Sequence, residues 1–427
     1  MQLNFARWPF ASPESRLPEE DERWWSECYL PHSVEDILES RSQWCVLVGG
    51  YQSGKSTALA ALRRNWQERA LLISDDFLIQ PPQEKTPGNI LSRILSQASW
   101  VIRHRLSESP DNFSLLSKTQ KEFVRWSSEK FHGRRAFLRW LDGLREDVAQ
   151  TMQNIEFEDI YPSQTKDVDG QIEELTNISK RLGFQQVLVT VDTPPFPTSE
   201  QVQEIRQMLG WLGPMQHIEP KLVMALPPSF TPREIMELSR GRASVLEMEA
   251  SSERPLQIAT RHISAATQGT LQNIDQLCSP KLALQLQSFT QDEFGSPSTG
   301  AWLKLVEILL DMASAGEKLP LQVGLFPQIR LAFYKRFMPL RLGSDNMELG
   351  AWRGYKWVTM DRAVYDFLAL LIHYKDRRVG HEMIGTSKSN LHTLASRLRD
   401  VIEPDPLQTI YLKNQKGEGY WLENFVS

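Results

Sequence analysis

Trp44-Cys45-Val46-Leu47-Val48-Gly49-Gly50-Tyr51-Gln52-Ser53-Gly54-Lys55-Ser56-Thr57-Ala58-Leu59-Ala60-Ala61-Leu62 joins an apolar run, a glycine-rich loop and an alanine-rich segment. The run has the length of a buried strand, and the segment after the loop has the composition of a helix. Between them the spacing G-x-x-x-x-G-K-S is that of a phosphate-binding loop, found where that motif requires it, after a strand and before a helix. Such a loop turns backbone N–H groups inward around two phosphates while the following helix presents its positive end to the same charge. Lys55 is expected to reach the β- and γ-phosphates of ATP and Ser56 to hold Mg²⁺. Gly49, Gly50, Tyr51, Gln52, Ser53, Gly54 and Thr57 complete the expected nucleotide contacts.

Outward from the loop, Ala70-Leu71-Leu72-Ile73-Ser74-Asp75-Asp76 reads as a second strand. Gln186-Val187-Leu188-Val189-Thr190-Val191-Asp192 reads as another, ending in an acid. Strands alternating with helical stretches predict an α/β fold with a parallel sheet and a ligand at the carboxyl ends of its strands. Asp192 is the expected second Mg²⁺ ligand, from the strand beside the loop, and with Lys55 the expected catalytic pair. The next residues are Thr193-Pro194-Pro195, where efficient ATPases place a glutamate to orient water, so slow hydrolysis is expected. Lys221-Leu222-Val223-Met224-Ala225-Leu226 predicts a further strand, ending in Pro227-Pro228 without a polar γ-phosphate sensor. Arg233, Arg240 and Arg242 lie downstream, as solvated cations or as an arginine offered to a neighbouring subunit.

Charged residues at 24% and hydrophobic ones at 41% are ordinary for a soluble globular chain, and 427 residues suffice for two or three domains. A net charge of −5 gives no global attraction to nucleic acid or to an anionic membrane, so any DNA contact must be local. Cys28, Cys45 and Cys278 lie far apart, which argues against a disulfide framework or a zinc site. No stretch has the roughly 18 uninterrupted apolar residues of a membrane span. No basic-then-apolar leader opens the chain. A cytoplasmic protein without membrane contact is expected.

A long helical insertion is predicted over roughly 85–180, broken near Glu156-Phe157-Glu158-Asp159-Ile160-Tyr161-Pro162. It gathers Trp100, Arg103, His104, Arg105, Arg125, Trp126, His132, Arg134, Arg135, Arg139 and Trp140. Interleaved aromatics and cations can bind single strands by stacking and phosphate contacts. Apolar spacing at i, i+3 and i+4 equally makes the tryptophans core anchors. Residues 254 to about 312 have helical spacing and fit a lid over the nucleotide.

The C-terminal stretch predicts strands at Pro339–Leu342 and Gly350–Val358, helices from Asp361 to Tyr374 and from Ser389 to Ile402, and a hairpin pairing Thr409–Leu412 with Gly419–Leu422. This is a winged-helix pattern. Residues 331–427 hold 14 Lys and Arg against 11 Asp and Glu, a net +3 that contrasts with the −5 of the whole chain.

Residues 1 to about 312 resemble the AAA+/STAND group of P-loop ATPases. Arg7-Trp8-Pro9-Phe10 and the helical insertion are similar to bacterial ATPases related to the origin-recognition type. From Leu391-His392-Thr393-Leu394-Ala395-Ser396-Arg397-Leu398-Arg399 to Lys416-Gly417-Glu418-Gly419-Tyr420, the tail resembles the DNA-binding domain of OmpR/PhoB-type response regulators. That resemblance implies a helix in the major groove, with Ser389, Asn390, His392, Thr393, Ser396, Arg397 and Arg399 near bases and phosphates and Lys413 and Lys416 on the wing. The implied organisation is an ATPase core over 1–250, a helical lid over 251–312, a linker over 313–338 and a winged helix over 339–427. The expected function is an ATP-binding switch that couples nucleotide state and self-association to double-stranded DNA. The alternative is a signalling or antiviral-defence ATPase whose winged helix binds a protein partner or drives oligomerisation.

Overall fold

The computed structural model describes residues 10, 18–40, 44–76, 90–155, 168–212, 220–248, 253–295, 298–345, 348–375, 377–405 and 408–426. The expectations for Arg7-Trp8-Pro9 and for the break at 156–162 fall outside these residues. The chain divides into two compact units, one of residues 31–249 and one of residues 1–30 with 250–427.

The first unit is a mixed α/β fold on a five-stranded, wholly parallel sheet in the order β2-β3-β4-β1-β5. The strands are β1 (Trp44–Val48), β2 (Ala70–Asp76), β3 (Gln186–Asp192), β4 (Lys221–Ala225) and β5 (Ser244–Glu247). All of β1 and β4 is buried, as expected for strands covered on both faces. Alternation divides the side chains between two layers. Cys45, Leu47, Leu188, Val223 and Ala225 pack with Ala58, Leu59 and Leu62 of the helix Lys55–Trp66. Trp44, Val46, Val189, Val191 and Met224 pack on the opposite face against the insertion and Ile205 and Leu209.

The insertion is helical over Ile90–Glu108, Lys118–His132, Arg134–Asp142, Glu146–Gln153 and Val168–Arg181. Ser117 and Gln120 close a reciprocal capping box on the second of these helices.

In the second unit one apolar core runs from Ala259 to Leu422. It joins the helices Arg254–Ala266, Pro280–Phe294, Thr299–Ser314 and Phe326–Phe337 to the C-terminal strands and helices. A buried ion pair, Arg353 with Glu293 at 3.5 Å, links strand and helix within that core. The helix Pro18–Glu27 belongs here: Trp24 meets His262 edge-on at 6.1 Å, and Arg254 donates to the Leu30 carbonyl at 2.6 Å.

Strands β6 (Leu340–Asp345), β7 (Glu348–Arg353) and β8 (Lys356–Thr359) precede the last three helices, β9 (Leu412–Gln415), β10 (Gly419–Leu422) and β11 (Phe425–Val426) follow them, and a four-stranded sheet runs in the order β11-β6-β7-β8. The stretch expected as one strand over 350–358 is a hairpin of β7 (Glu348–Arg353) and β8 (Lys356–Thr359). Gly354, at φ +60°, makes the reversal between them. The terminal hairpin also differs from expectation. Leu412–Gln415, not Thr409–Leu412, pairs with Gly419–Leu422. The Glu403 carboxylate accepts the backbone N–H groups of Ile410, Tyr411 and Leu412 at 2.7 to 2.9 Å, so the donors of the two residues upstream of the ladder and of its first residue go to a side chain. Among the described residues no helix is long and apolar enough to cross a membrane.

Candidate functional site

The loop Gly49–Gly54 leaves the carboxyl end of β1, which lies inside the sheet between β4 and β5. From β1 the chain passes beyond β4 and β3 to β2, whereas from β4 it crosses to β5 on the other side, so this end of β1 is where connections diverge. Gly49 at φ +155° and Gly54 at φ +99° hold backbone that favours glycine. A Cβ on Gly49 would lie 3.0 Å from Met248 Cβ and 3.1 Å from Ser53 Oγ. Gln52 adopts φ +59°, and its side-chain oxygen is buried without a partner among the described residues. Left-handed non-glycine backbone and an orphaned polar atom mark strain of the kind that gathers at binding loops.

Lys55 opens the helix and folds back over the loop, donating to Gly49 O at 2.8 Å and to Gly50 O at 2.9 Å. Burial lowers its pKa to about 8, against the opposing pull of the Asp192 charge. Asp192 is buried, and the alternation of β3 puts it on the same face as Leu188, toward the helix that carries Lys55 and Ser56. β3 is not the neighbour of β1, as the sequence reading assumed. β4 stands between them, and Asp192 aligns with Ala225, which aligns with Leu47. Lys55 and Asp192 are therefore brought together across an intervening strand.

Ser56 is exposed and Thr57 half-buried at the start of the helix. Thr193 is buried and its hydroxyl donates to Ala225 O at 2.7 Å, which engages its proton in the scaffold. Tyr51 stacks on Phe196 with ring centroids 5.3 Å apart, tying the loop to the segment after β3. Phe196 and Met248 escaped the sequence reading; an aromatic set between prolines just past a strand-end acid was the available signal for the first. Arg233, in the helix Pro232–Leu238, pairs with Glu237 at 2.8 Å, and Arg240 lies in the turn after that helix at φ +50°. Among the described residues no three His, Cys, Asp or Glu side chains group as a metal cage.

In the C-terminal module the helix Lys388–Ile402 is capped by Ser387 and buries Leu391, Ala395, Leu398 and Ile402. Its opposite face exposes Ser389, Asn390, His392, Thr393, Ser396 and Arg397. Arg399 lies apart from that stripe, half-buried, with Nε unpartnered. His392 Nδ1 lies 2.7 Å from the Tyr420 hydroxyl. Arg397 forms an ion pair with Asp361, the residue that caps the helix Arg362–His373. In the terminal hairpin Lys416 is exposed, whereas Lys413 donates to Thr409 O at 2.5 Å. Val379 exchanges backbone hydrogen bonds with Tyr420 at 2.7 and 3.0 Å, and a Cβ on Gly419 would meet Val379 O at 2.4 Å. The hairpin is thereby pinned to the turn before the helix His381–Ile384.

No family model matches the chain, and no curated protein matches it.

Proposed function

We propose that the protein is an ATP-binding molecular switch whose nucleotide state and self-association govern binding to duplex DNA through its C-terminal module. The observation that carries this reading is Lys55 on the carbonyls of a loop of positive-φ backbone, within the field of the buried Asp192 at the carboxyl end of the same parallel sheet. The Lys55 ammonium rests on two loop carbonyls. A β,γ-phosphate group replaces them with charged acceptors, a stronger class of partner. The donor set fits Mg²⁺: the Ser56 hydroxyl and Asp192 carboxylate supply hard oxygens, and phosphate oxygens with water complete a shell that proteins seldom build alone. Bound Mg²⁺ would neutralise charge between the β- and γ-phosphates. Thr193 offers no carboxylate to orient attacking water, so turnover is slow and the bound state long-lived.

The DNA half of the proposal rests on the exposed stripe from Ser389 to Arg397 and on Lys416 in the hairpin, with Lys413 and Arg399 supporting from less exposed positions. A second reading, the signalling or antiviral-defence ATPase with a protein-binding module, draws on one observation. Arg397 and His392 are engaged within the module by Asp361 and Tyr420, leaving fewer free donors for a duplex.

The deciding experiment measures anisotropy of labelled duplex DNA at fixed salt with ATP, ADP and no nucleotide, for the parent protein and for Lys55→Ala. Duplex affinity that varies with nucleotide, and loses that variation in Lys55→Ala, is the expected result. ATP binding without duplex binding in any state selects the second reading.

A further inference from the structure

In the insertion, α1 (Ile90–Glu108), α2 (Lys118–His132) and α3 (Arg134–Asp142) pack in sequence, and one solvent-facing groove between α1 and α3 differs from its surroundings. Arg103 donates to Ala136 O at 3.2 Å, and Trp140 Nε1 donates to Ser107 Oγ at 2.9 Å, which defines the line where the two helices touch. Helical spacing places Trp100 and His104 in the row beside that line on α1, and Arg135 and Arg139 in the row beside it on α3. All four are exposed.

Trp100 is 57% exposed, although a free indole of this size normally finds a core. It already stacks on His104, with centroids 5.4 Å apart and planes at 27°. Other tryptophans of the insertion are partly buried against the core: Trp126 and Trp140 fill the anchor role that helical spacing predicts. Trp100 alone of the three is left as a platform.

The charges separate in the same way. Arg93 pairs with Glu204, Arg105 with Glu108, Arg125 with Glu129, and Arg145 with Asp111 and Asp147. Arg134, Arg135 and Arg139 have no carboxylate partner among the described residues. The carboxylates nearest this face in sequence are Glu108, held by His104 at 3.6 Å and by Arg105, and the exposed Asp142 at the end of α3.

We propose that this groove binds single-stranded DNA, with Trp100 stacking a base and Arg135 and Arg139 holding successive phosphates. An aromatic face beside unpaired guanidinium groups matches the alternation of base and phosphate along one strand. A duplex keeps its base faces covered and could not use Trp100. The choice of DNA over RNA rests on the DNA-binding reading above, whereas the groove itself does not.

The test is anisotropy of the full-length protein with labelled oligothymidine, an RNA strand of equal length, and duplex DNA. Trp100→Ala should weaken oligothymidine binding by about 5- to 150-fold, the range for loss of one base stack. Trp100→Phe should retain most of the affinity. Arg135→Ala with Arg139→Ala should lower the salt slope by about 1.4, for two phosphates on a single strand. Arg397→Ala should leave oligothymidine binding intact, even where duplex binding proves absent in the parent. Unchanged oligothymidine affinity in Trp100→Ala, no oligothymidine binding in the parent, tighter binding of RNA than DNA, or loss of single-strand binding in Arg397→Ala would each overturn the proposal.

Discussion

Lys55 and Asp192, 137 positions apart in the chain, form an electrostatic couple in which the carboxylate keeps a buried ammonium from losing its proton even more readily. With its pKa near 8, Lys55 is protonated at neutral pH and titrates just above it. Nucleotide phosphate favours the protonated form, so ATP affinity should hold steady below pH 8 and fall by up to about tenfold per pH unit above it. Isothermal titration across pH 7 to 10 with Mg²⁺ checks this, and Lys55→Met should flatten the profile at low affinity.

Lys55 also sets a sign for stability without nucleotide. Between its folded pKa of about 8 and the ordinary value of 10.5 the unfolded chain binds more protons, so this residue makes stability rise with pH across that window. Lys55→Met should remove that rise and leave the unliganded unit no less stable at neutral pH. Thermal melts at pH 7 and pH 10 measure both, and a lower melting temperature for the variant at pH 7 would count against the burial penalty.

Gly54 opens the helix at φ +99°, and a Cβ there would meet only Met248 Cε, at an unstrained 3.9 Å, so Gly54→Ala isolates backbone strain. The expected loss is about 1–2 kcal/mol of stability, with nucleotide affinity reduced as the loop relaxes. Denaturant midpoints of parent and variant, read on the transition that nucleotide shifts, provide the comparison.

Glu403 holds the backbone N–H groups of Ile410, Tyr411 and Leu412, just before and at the start of the hairpin ladder. Glu403→Ala should destabilise the C-terminal unit by at least about 2 kcal/mol, because several buried donors lose their acceptor together. Gly419→Ala should act on the other side of the same hairpin by pressing on Val379 O. Hydrogen exchange at Tyr411, Leu412 and Tyr420 should rise in both variants while exchange in β1 and β4 stays unchanged.

Asp361 and Arg397 make a competing contact at the proposed DNA surface. Asp361 accepts from the N–H groups of Ala363 and Val364 as well as from Arg397, and these hold its carboxyl below the usual range. Arg397→Ala should weaken duplex binding and reduce its salt slope by about 0.9, for one phosphate. Asp361→Ala should release Arg397 and strengthen duplex binding while lowering thermal stability through the lost cap. Equal weakening by both substitutions would show that the pair positions the helix instead.

Much of the first unit was legible because its strands are short apolar runs and its loop is local. Trp44–Val48, Ala70–Asp76 and Gln186–Asp192 each occur as strands over the residues expected. The helix Phe326–Phe337 falls inside the stretch 313–338 that was expected as a linker into the C-terminal module. The terminal hairpin was displaced by three residues because Glu403 draws off backbone donors, a contact that no local pattern encodes. The single strand expected over 350–358 missed a reversal at Gly354, since an isolated glycine inside a strand-like run also suits a bulge.

Residue order alone determined the local matters: a strand, a glycine loop and a helix in succession, an acid closing β3, and an amphipathic helix ahead of a terminal hairpin. These depend on spacing within a few residues, where backbone sterics and period suffice. Tertiary structure decided that β4 separates β1 from β3, that the Asp192 charge nonetheless acts on Lys55, and that Trp100 stands exposed while Trp126 and Trp140 help to fill the core. Those outcomes depend on which surfaces exclude water against one another across long loops, a property of the packed chain.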